Sequence, residues 1–189
     1  MISSNVVKNT LLDHYRLETI RAALKDTMYL DGAVAEVGVY KGGTSLYILE
    51  CTDKHLFVLD TFEGMPPTQA IDLHRPKDFN DTSLEHVTNL LKAHSNFSIY
   101  KGVFPKQNAE YLAPYKFSVV HLDVDIYEST KECLEFFYPK MQSGGYIIFD
   151  DYTTPSCPGV KKAVDDFLQD KPEKLVSGLT NGQAFLKMI

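Results

Sequence analysis

Two apolar runs finish in carboxylates about one βα unit apart: Val120-His121-Leu122-Asp123-Val124-Asp125 and Tyr146-Ile147-Ile148-Phe149-Asp150-Asp151. The 26 residues between Asp123 and Asp150 suit a parallel crossover containing one helix. Parallel strands joined in that way emerge at the same sheet edge, so Asp123, Asp150 and Asp151 are expected to converge in one crevice. Two like charges about 4 Å apart repel by about 4 kcal/mol at an effective dielectric of about 20, and a hard divalent cation relieves that repulsion best. Asp125 projects to the same side as Asp123 if the strand geometry persists, which makes it a candidate base. His121 lies inside the strand and reads as a packed core residue.

A second piece of chemistry sits at the first βα junction, Ala35-Glu36-Val37-Gly38-Val39-Tyr40-Lys41-Gly42-Gly43-Thr44-Ser45. Gly38 allows a tight turn at the end of a strand. Gly42 and Gly43 allow close backbone approach before Thr44 and Ser45 cap a helix, whose N-terminal amides favour an anion, a carboxylate or a phosphate. Tyr40 stands where a dinucleotide fingerprint places its second glycine, and the loop lacks the G-K-[ST] of a Walker motif. Glu36 repels a pyrophosphate but accepts hydrogen bonds from an ammonium or a hydroxyl. About 20 residues on, Phe57-Val58-Leu59-Asp60-Thr61-Phe62 ends a strand in a carboxylate suited to the two hydroxyls of a ribose, with Phe62 as an apolar face for a base.

The elements that must position these groups alternate strand and helix. An amphipathic helix over roughly 5–28 carries Leu11, Leu12, Tyr15, Ile20, Ala23 and Leu24 at helical spacing, and is expected to cap the sheet or a second copy of the chain in a homodimer. Strands are expected at 33–37, 55–60, 97–100, 117–123 and 146–150, with helices at 44–50, 84–93, 129–138 and 160–168. Runs at 174–176 and 184–188 have no crossover between them and read as a hairpin, one strand antiparallel to the rest. With no linker, repeat or low-complexity tract, residues 1–189 are expected to form a single doubly wound, Rossmann-like α/β domain. Its seven-stranded, mostly parallel sheet belongs to a core at 33–189, and 1–30 is a helical cap.

Composition narrows the partners. A length of 189 residues with 44% apolar content buries a core without disulfides, and a net charge of −6 argues against nucleic acid as a partner. No stretch approaches a membrane span, and the N-terminus lacks a signal-peptide layout, so a cytoplasmic protein acting on small molecules is expected. Cys51, Cys133 and Cys157 form no C-x-x-C; the first two read as packing thiols. Cys157 reads as a loop residue near the acidic crevice without an evident histidine partner.

Taken together, the loop E-x-G-x-x-x-G-G-T-S, the acidic end at Asp60 and the later strand-end carboxylates resemble a class I S-adenosylmethionine-dependent methyltransferase. More narrowly, V-L-D-T-F-E-G-M-P (58–66), H-L-D-V-D-I-Y-E-S-T (121–130), G-G-Y-I-I-F-D-D-Y (144–152) and P-G-V-K-K-A-V-D-D-F (158–167) resemble the macrocin O-methyltransferase, or TylF-like, family. A more distant similarity, to catechol-type O-methyltransferases, lies in Glu36, Gly38, Tyr40, Gly42 and Thr44. The resemblance implies that Glu36, Gly38, Tyr40 and Thr44, with Gly42, Gly43 and Ser45 of the same loop, hold the methionine end of S-adenosylmethionine. It further implies that Asp60 with Thr61 takes the ribose, that Phe62, Gly102 and Phe104 flank the adenine, and that Asp123, Asp150 and Asp151 hold Mg²⁺. The implied activity is methyl transfer to a hydroxyl of a sugar or polyhydroxylated small molecule; Asp123, and Asp125 by its strand position, are the candidate catalytic carboxylates. Where catechol-type enzymes place a lysine three residues after the strand-end aspartate, this chain has Ile126. Metal-independent methyl transfer and a non-catalytic nucleoside-binding module are the alternatives.

The segment 63–81 holds Met65, Pro66, His74, Arg75 and Phe79 without a clear period. A connection of that length is more often a lid than a passive link, with His74 or Arg75 available for polar contacts.

Overall fold

The computed structural model describes residues 2–189. Seven strands, β1 (Ala33–Val37), β2 (Leu56–Asp60), β3 (Phe97–Lys101), β4 (Phe117–Leu122), β5 (Met141–Phe149), β6 (Leu175–Val176) and β7 (Ala184–Lys187), form one sheet in the order β3-β2-β1-β4-β5-β7-β6. β1 to β5 are parallel; β7 runs antiparallel to both β5 and β6. The expected mostly parallel sheet with a terminal antiparallel pair is therefore the observed one.

Both faces of the sheet are covered, which is why its central strands are near-continuous apolar runs rather than alternating ones. Val34, Val58, Val119 and Ile148 point into the core shared with α1 (Ser4–Asn9), α2 (His14–Asp26), α3 (Gly43–Cys51) and α4 (Leu84–Leu91). Their neighbours Ala35, Phe57, Val120 and Ile147 point the other way, into the core shared with α5 (Ala109–Leu112), α6 (Tyr127–Phe137) and α7 (Pro158–Phe167). That period-2 alternation fixes which strand-end side chains face which layer.

The continuous helix expected over 5–28 is instead two helices. Asp13 adopts an extended conformation and accepts the Arg16 amide at 2.9 Å, capping α2, while Thr10 closes α1 and pairs its hydroxyl with that of Thr44 at 2.8 Å. A cap interrupts the helical period because its φ/ψ is non-helical. The break matters at Gly43, where an added Cβ would stand 2.4 Å from Asn9 carbonyl carbon, so glycine there lets the chain cross over the start of α3. Leu17, Ile20, Ala23 and Leu24 are buried, whereas Leu11 and Tyr15 are exposed. The helical pair thus caps the sheet layer. α5 carried no periodic signal in the sequence; the helix at 127–137 begins two residues before the expected start, and β5 begins at Met141 rather than at 146. Among the described residues no helix is long and apolar enough to cross a membrane.

Candidate functional site

A cavity of about 280 Å³ opens at the C-terminal ends of β1, β2 and β4, the point where the strand order reverses and ligands of open α/β sheets bind. Its wall includes Gly38, Tyr40, Asp60, Thr61, Gly102, Phe104, Asp123, Asp125, Asp150 and Asp151. Gly38, at φ +85°, turns the chain out of β1, and Tyr40 holds a left-handed φ of +53°. The turn aims the amides of Val39 and Tyr40 at Asp60 Oδ2, at 2.6 and 3.0 Å, while Phe62 N–H donates to Asp60 Oδ1 at 2.7 Å. Asp60 therefore both ties the first two βα turns together and presents its carboxylate to the cavity.

Other residues of the loop lie elsewhere. Glu36 is buried beneath the cavity, accepting a hydrogen bond from Ser45 Oγ and facing His121 Nδ1 at 3.5 Å. Gly42, Gly43, Thr44 and Ser45 do not line the cavity. The start of α3, expected to be open to an anion, is covered by residues 9–10, and its cap is Gly42 rather than a hydroxyl. Phe62, expected as a face for a base, is also away from the cavity. Its ring is buried in the core with Val39, Leu46 and Val87 because a left-handed backbone at φ +50° turns it inward.

The acidic strand ends do converge, and two cations meet them. Arg16 of α2 bridges Asp150 and Asp151, and also donates to Thr154 Oγ1 at 3.2 Å and Asn181 carbonyl oxygen at 2.9 Å. His121, buried as expected, is an ion-pair partner rather than apolar filling: its Nε2 lies 3.2 Å from Asp150 Oδ1. Burial disfavours its charged form, but Asp150 and Glu36 outweigh that and raise its pKa to about 9. Asp150, which also accepts from Gln183 at 2.6 Å, is held below its ordinary value by His121 and Arg16 against the opposing effect of burial. Asp123 makes no ion pair of that kind, although its carboxylate lies within 4.8 Å of His121 and Asp150. Burial, and then Asp150, Asp125 and Asp151, push its pKa well up.

Asp125 reaches the same cluster by a route other than strand periodicity. β4 ends at Leu122, and Asp125 sits in a tight turn at φ +61° closed by an Ile126-to-Val124 hydrogen bond of 2.7 Å. Oxygens of Asp123, Asp125 and Asp151 all lie within 4.8 Å of one another. Burial and the Asp151 charge raise Asp125 to about 7.

The segment 63–81 forms one wall of the cavity through Met65, Pro66, His74, Asp78 and Phe79. It is bonded to itself at Met65 N to Asp78 O (2.9 Å) and Lys77 N to Met65 O (2.8 Å), and to α6 through Asp72, which accepts the Tyr127 amide at 2.8 Å. The Arg75 side chain does not line the cavity. His74 does, and it corrects the reading of Cys157 as lacking a histidine: Nε2 stands 3.6 Å from Sγ. Leu11 and Leu12, in the α1–α2 connection, and Arg16, in the first turn of α2, are wall residues that the sequence did not mark, since the helical spacing gave no sign of a break that brings them to a distant strand end.

Comparison with known proteins identifies the family. A family model described as macrocin-O-methyltransferase (TylF) matches residues 5–177. The chain is 31% identical over 183 residues to demethyldecarbamoylnovobiocin O-methyltransferase of Streptomyces niveus, covering 84% of this chain and 67% of that protein. It is 29% identical to the 8-demethyl-8-(2,3-dimethoxy-alpha-L-rhamnosyl)-tetracenomycin-C 4'-O-methyltransferase of Streptomyces olivaceus, covering 85% of this chain and 68% of that one. Among solved structures, the O-methyltransferase NovP superposes with a TM-score of 0.82 at 30% identity, covering 95% of this chain and 82% of that one.

Proposed function

The chain belongs to the macrocin O-methyltransferase family and is an S-adenosylmethionine-dependent O-methyltransferase, and from that premise we propose that it methylates a hydroxyl of a sugar or polyhydroxylated small molecule with Mg²⁺ assistance. The observation that supports the metal is the convergence of carboxylates on the cavity wall: oxygens of Asp123, Asp125 and Asp151 lie within 4.8 Å of one another, and Asp150 lies beside Asp123. An oxygen-only donor set of this kind fits Mg²⁺. Asp123, Asp150 and Asp151 would hold it, and when bound it would orient the acceptor hydroxyl and lower its pKa.

The chain's own residues account for the remaining demands. Asp60, its orientation set by three backbone amides, retains about one of its four lone-pair sites for a ribose hydroxyl of the cofactor. Gly38 and Tyr40 supply the cavity wall beside it, and Gly102 and Phe104 the wall past β3. Displacement at carbon requires the acceptor oxygen within about 3–3.5 Å of the methyl group and in line with sulfur, so the pocket must fix the acceptor on the side of Asp125 and the 63–81 segment. Asp125, on the cavity wall beside Asp123 and Asp151, is placed to receive the acceptor proton. The sugar class is favoured by the rhamnosyl substrate that the Streptomyces olivaceus relative's name states.

One observation favours metal-independent transfer: Arg16 is a resident cation on Asp150 and Asp151. Labelled S-adenosylmethionine presented with a panel of glycosides and polyols, with Mg²⁺ and then with chelator, separates the readings. Methylation of a glycoside that stops on chelation is expected; undiminished transfer in chelator would overturn the metal's part.

A further inference from the structure

Beside the carboxylate cluster, three side chains from separate segments meet on the cavity wall: His74 of the 63–81 segment, Asp125 of the β4–α6 turn and Cys157 at the start of α7. Cys157 Sγ lies 3.6 Å from His74 Nε2 and 3.3 Å from Asp125 Oδ1, and the three ligand atoms all fall within 4.8 Å of one another. A tetrahedral ion with Zn–S of about 2.3 Å and Zn–N or Zn–O of about 2.0 Å spaces adjacent ligand atoms by about 3.3–3.6 Å, so two edges of such a site are already formed.

The imidazole is also oriented for this use. His74 Nδ1 faces Asp78 Oδ2 at 3.3 Å, and that oxygen is itself held by the Arg75 amide at 2.9 Å. A carboxylate behind one ring nitrogen, leaving the other aimed at the ligand position, is how metal-bound histidines are commonly fixed. A nucleophilic thiolate is the competing use of a Cys–His pair, and the surroundings oppose it. Burial, then Asp125 and Asp151, push the Cys157 thiol upward, so it stays protonated until a cation joins it.

We propose that His74, Asp125 and Cys157 bind a thiophilic divalent cation of the zinc class, at a position adjacent to the oxygen-only carboxylates, with Asp125 on the border between the two. Binding forms bonds from sulfur, nitrogen and oxygen to the ion; the thiol proton, with any proton on Asp125, passes to solvent, and no electron is transferred. The mixed donor set disfavours Mg²⁺. Three protein ligands leave a fourth position open to the cavity. An ion there clamps the 63–81 segment to α7 and takes Asp125 away from an acceptor; this consequence rests on the role proposed above for Asp125, whereas the binding does not.

Co²⁺, added to the intact protein in thiol-free buffer, is the probe. Its thiolate-to-cobalt charge-transfer absorption and the visible bands of a tetrahedral site should appear with one equivalent, should vanish when Zn²⁺ is added, and should survive a large excess of Mg²⁺. Cys157→Ser should abolish the charge-transfer band, His74→Gln should weaken Co²⁺ affinity by about tenfold or more, and Asp78→Asn, acting through His74, should weaken it by about tenfold. His74 is on a surface segment, so its variant keeps the test valid if Cys157→Ser folds poorly. No charge-transfer band in the wild type, or an unchanged band in Cys157→Ser or unchanged affinity in His74→Gln, overturns the site whether or not an acceptor is ever found.

Discussion

A Cβ added to Gly38 would stand 1.7 Å from the carbonyl oxygen of Asp123, so the end of β4 occupies the space that any other residue at position 38 would need. The same close approach carries the Asp123 N–H to Val37 O bond at 2.9 Å, which holds the acidic strand end against the glycine turn. Gly38→Ala must therefore displace β4 as well as adopt φ +85°. A loss of about 2–4 kcal/mol of unfolding free energy in urea is expected, together with weakened cofactor binding.

Asp60 ties the proposed ribose contact to the fold. Asp60→Ala removes the acceptor for three amides and the group assigned to the ribose. Calorimetry with S-adenosylhomocysteine should show affinity reduced by about 1.5–3 kcal/mol, the scale of hydrogen bonds to a charged group. Unchanged affinity would remove the ribose assignment.

His121 gives stability a pH dependence of known sign. Its folded pKa of about 9 lies above the ordinary value of 6.5, so its contribution is fully present below about pH 6.5 and is lost as pH rises through about 9. Burial opposes the shift, and the carboxylates of Asp150 and Glu36 outweigh it, for a net effect on the order of 3 kcal/mol. Thermal denaturation should show stability falling between pH 7 and 9.5, and His121→Gln should flatten that interval while lowering stability at pH 7. An identical slope in the variant would assign the effect to other groups.

If Mg²⁺ binds at Asp150 and Asp151 as proposed, it must compete there with Arg16. Arg16→Met leaves Asp150 with His121 and Gln183 but without its bridge to Asp151, and a metal-free loss of about 2–4 kcal/mol is expected. Mg²⁺ should then restore much of the lost melting temperature, and Mn²⁺ should bind about tenfold tighter than to the wild type by electron paramagnetic resonance. A variant that Mg²⁺ does not rescue, with transfer also lost, would make the guanidinium itself the working cation.

The boundary between what could be read from the chain and what could not follows the range of the interactions involved. Strands, their parallel order and the convergence of Asp123, Asp150 and Asp151 were legible because apolar period and crossover length are local signals, and right-handed connections leave little freedom in where strand ends emerge. The turn at Gly38 and the carboxylate of Asp60 were legible for the same reason. Local spacing is silent on which side of a turn a ring will fall, so Phe62 went to the core and Asp125 met its cluster through a left-handed turn instead of a strand. It is equally silent on contacts made across great sequence distance. Arg16 reaches Asp150 across 134 residues, Thr10 covers the start of α3, and His74 meets Cys157 across 83. Those pairings exist only after both sheet faces have been packed, because packing alone decides which surface segments are brought over the strand ends.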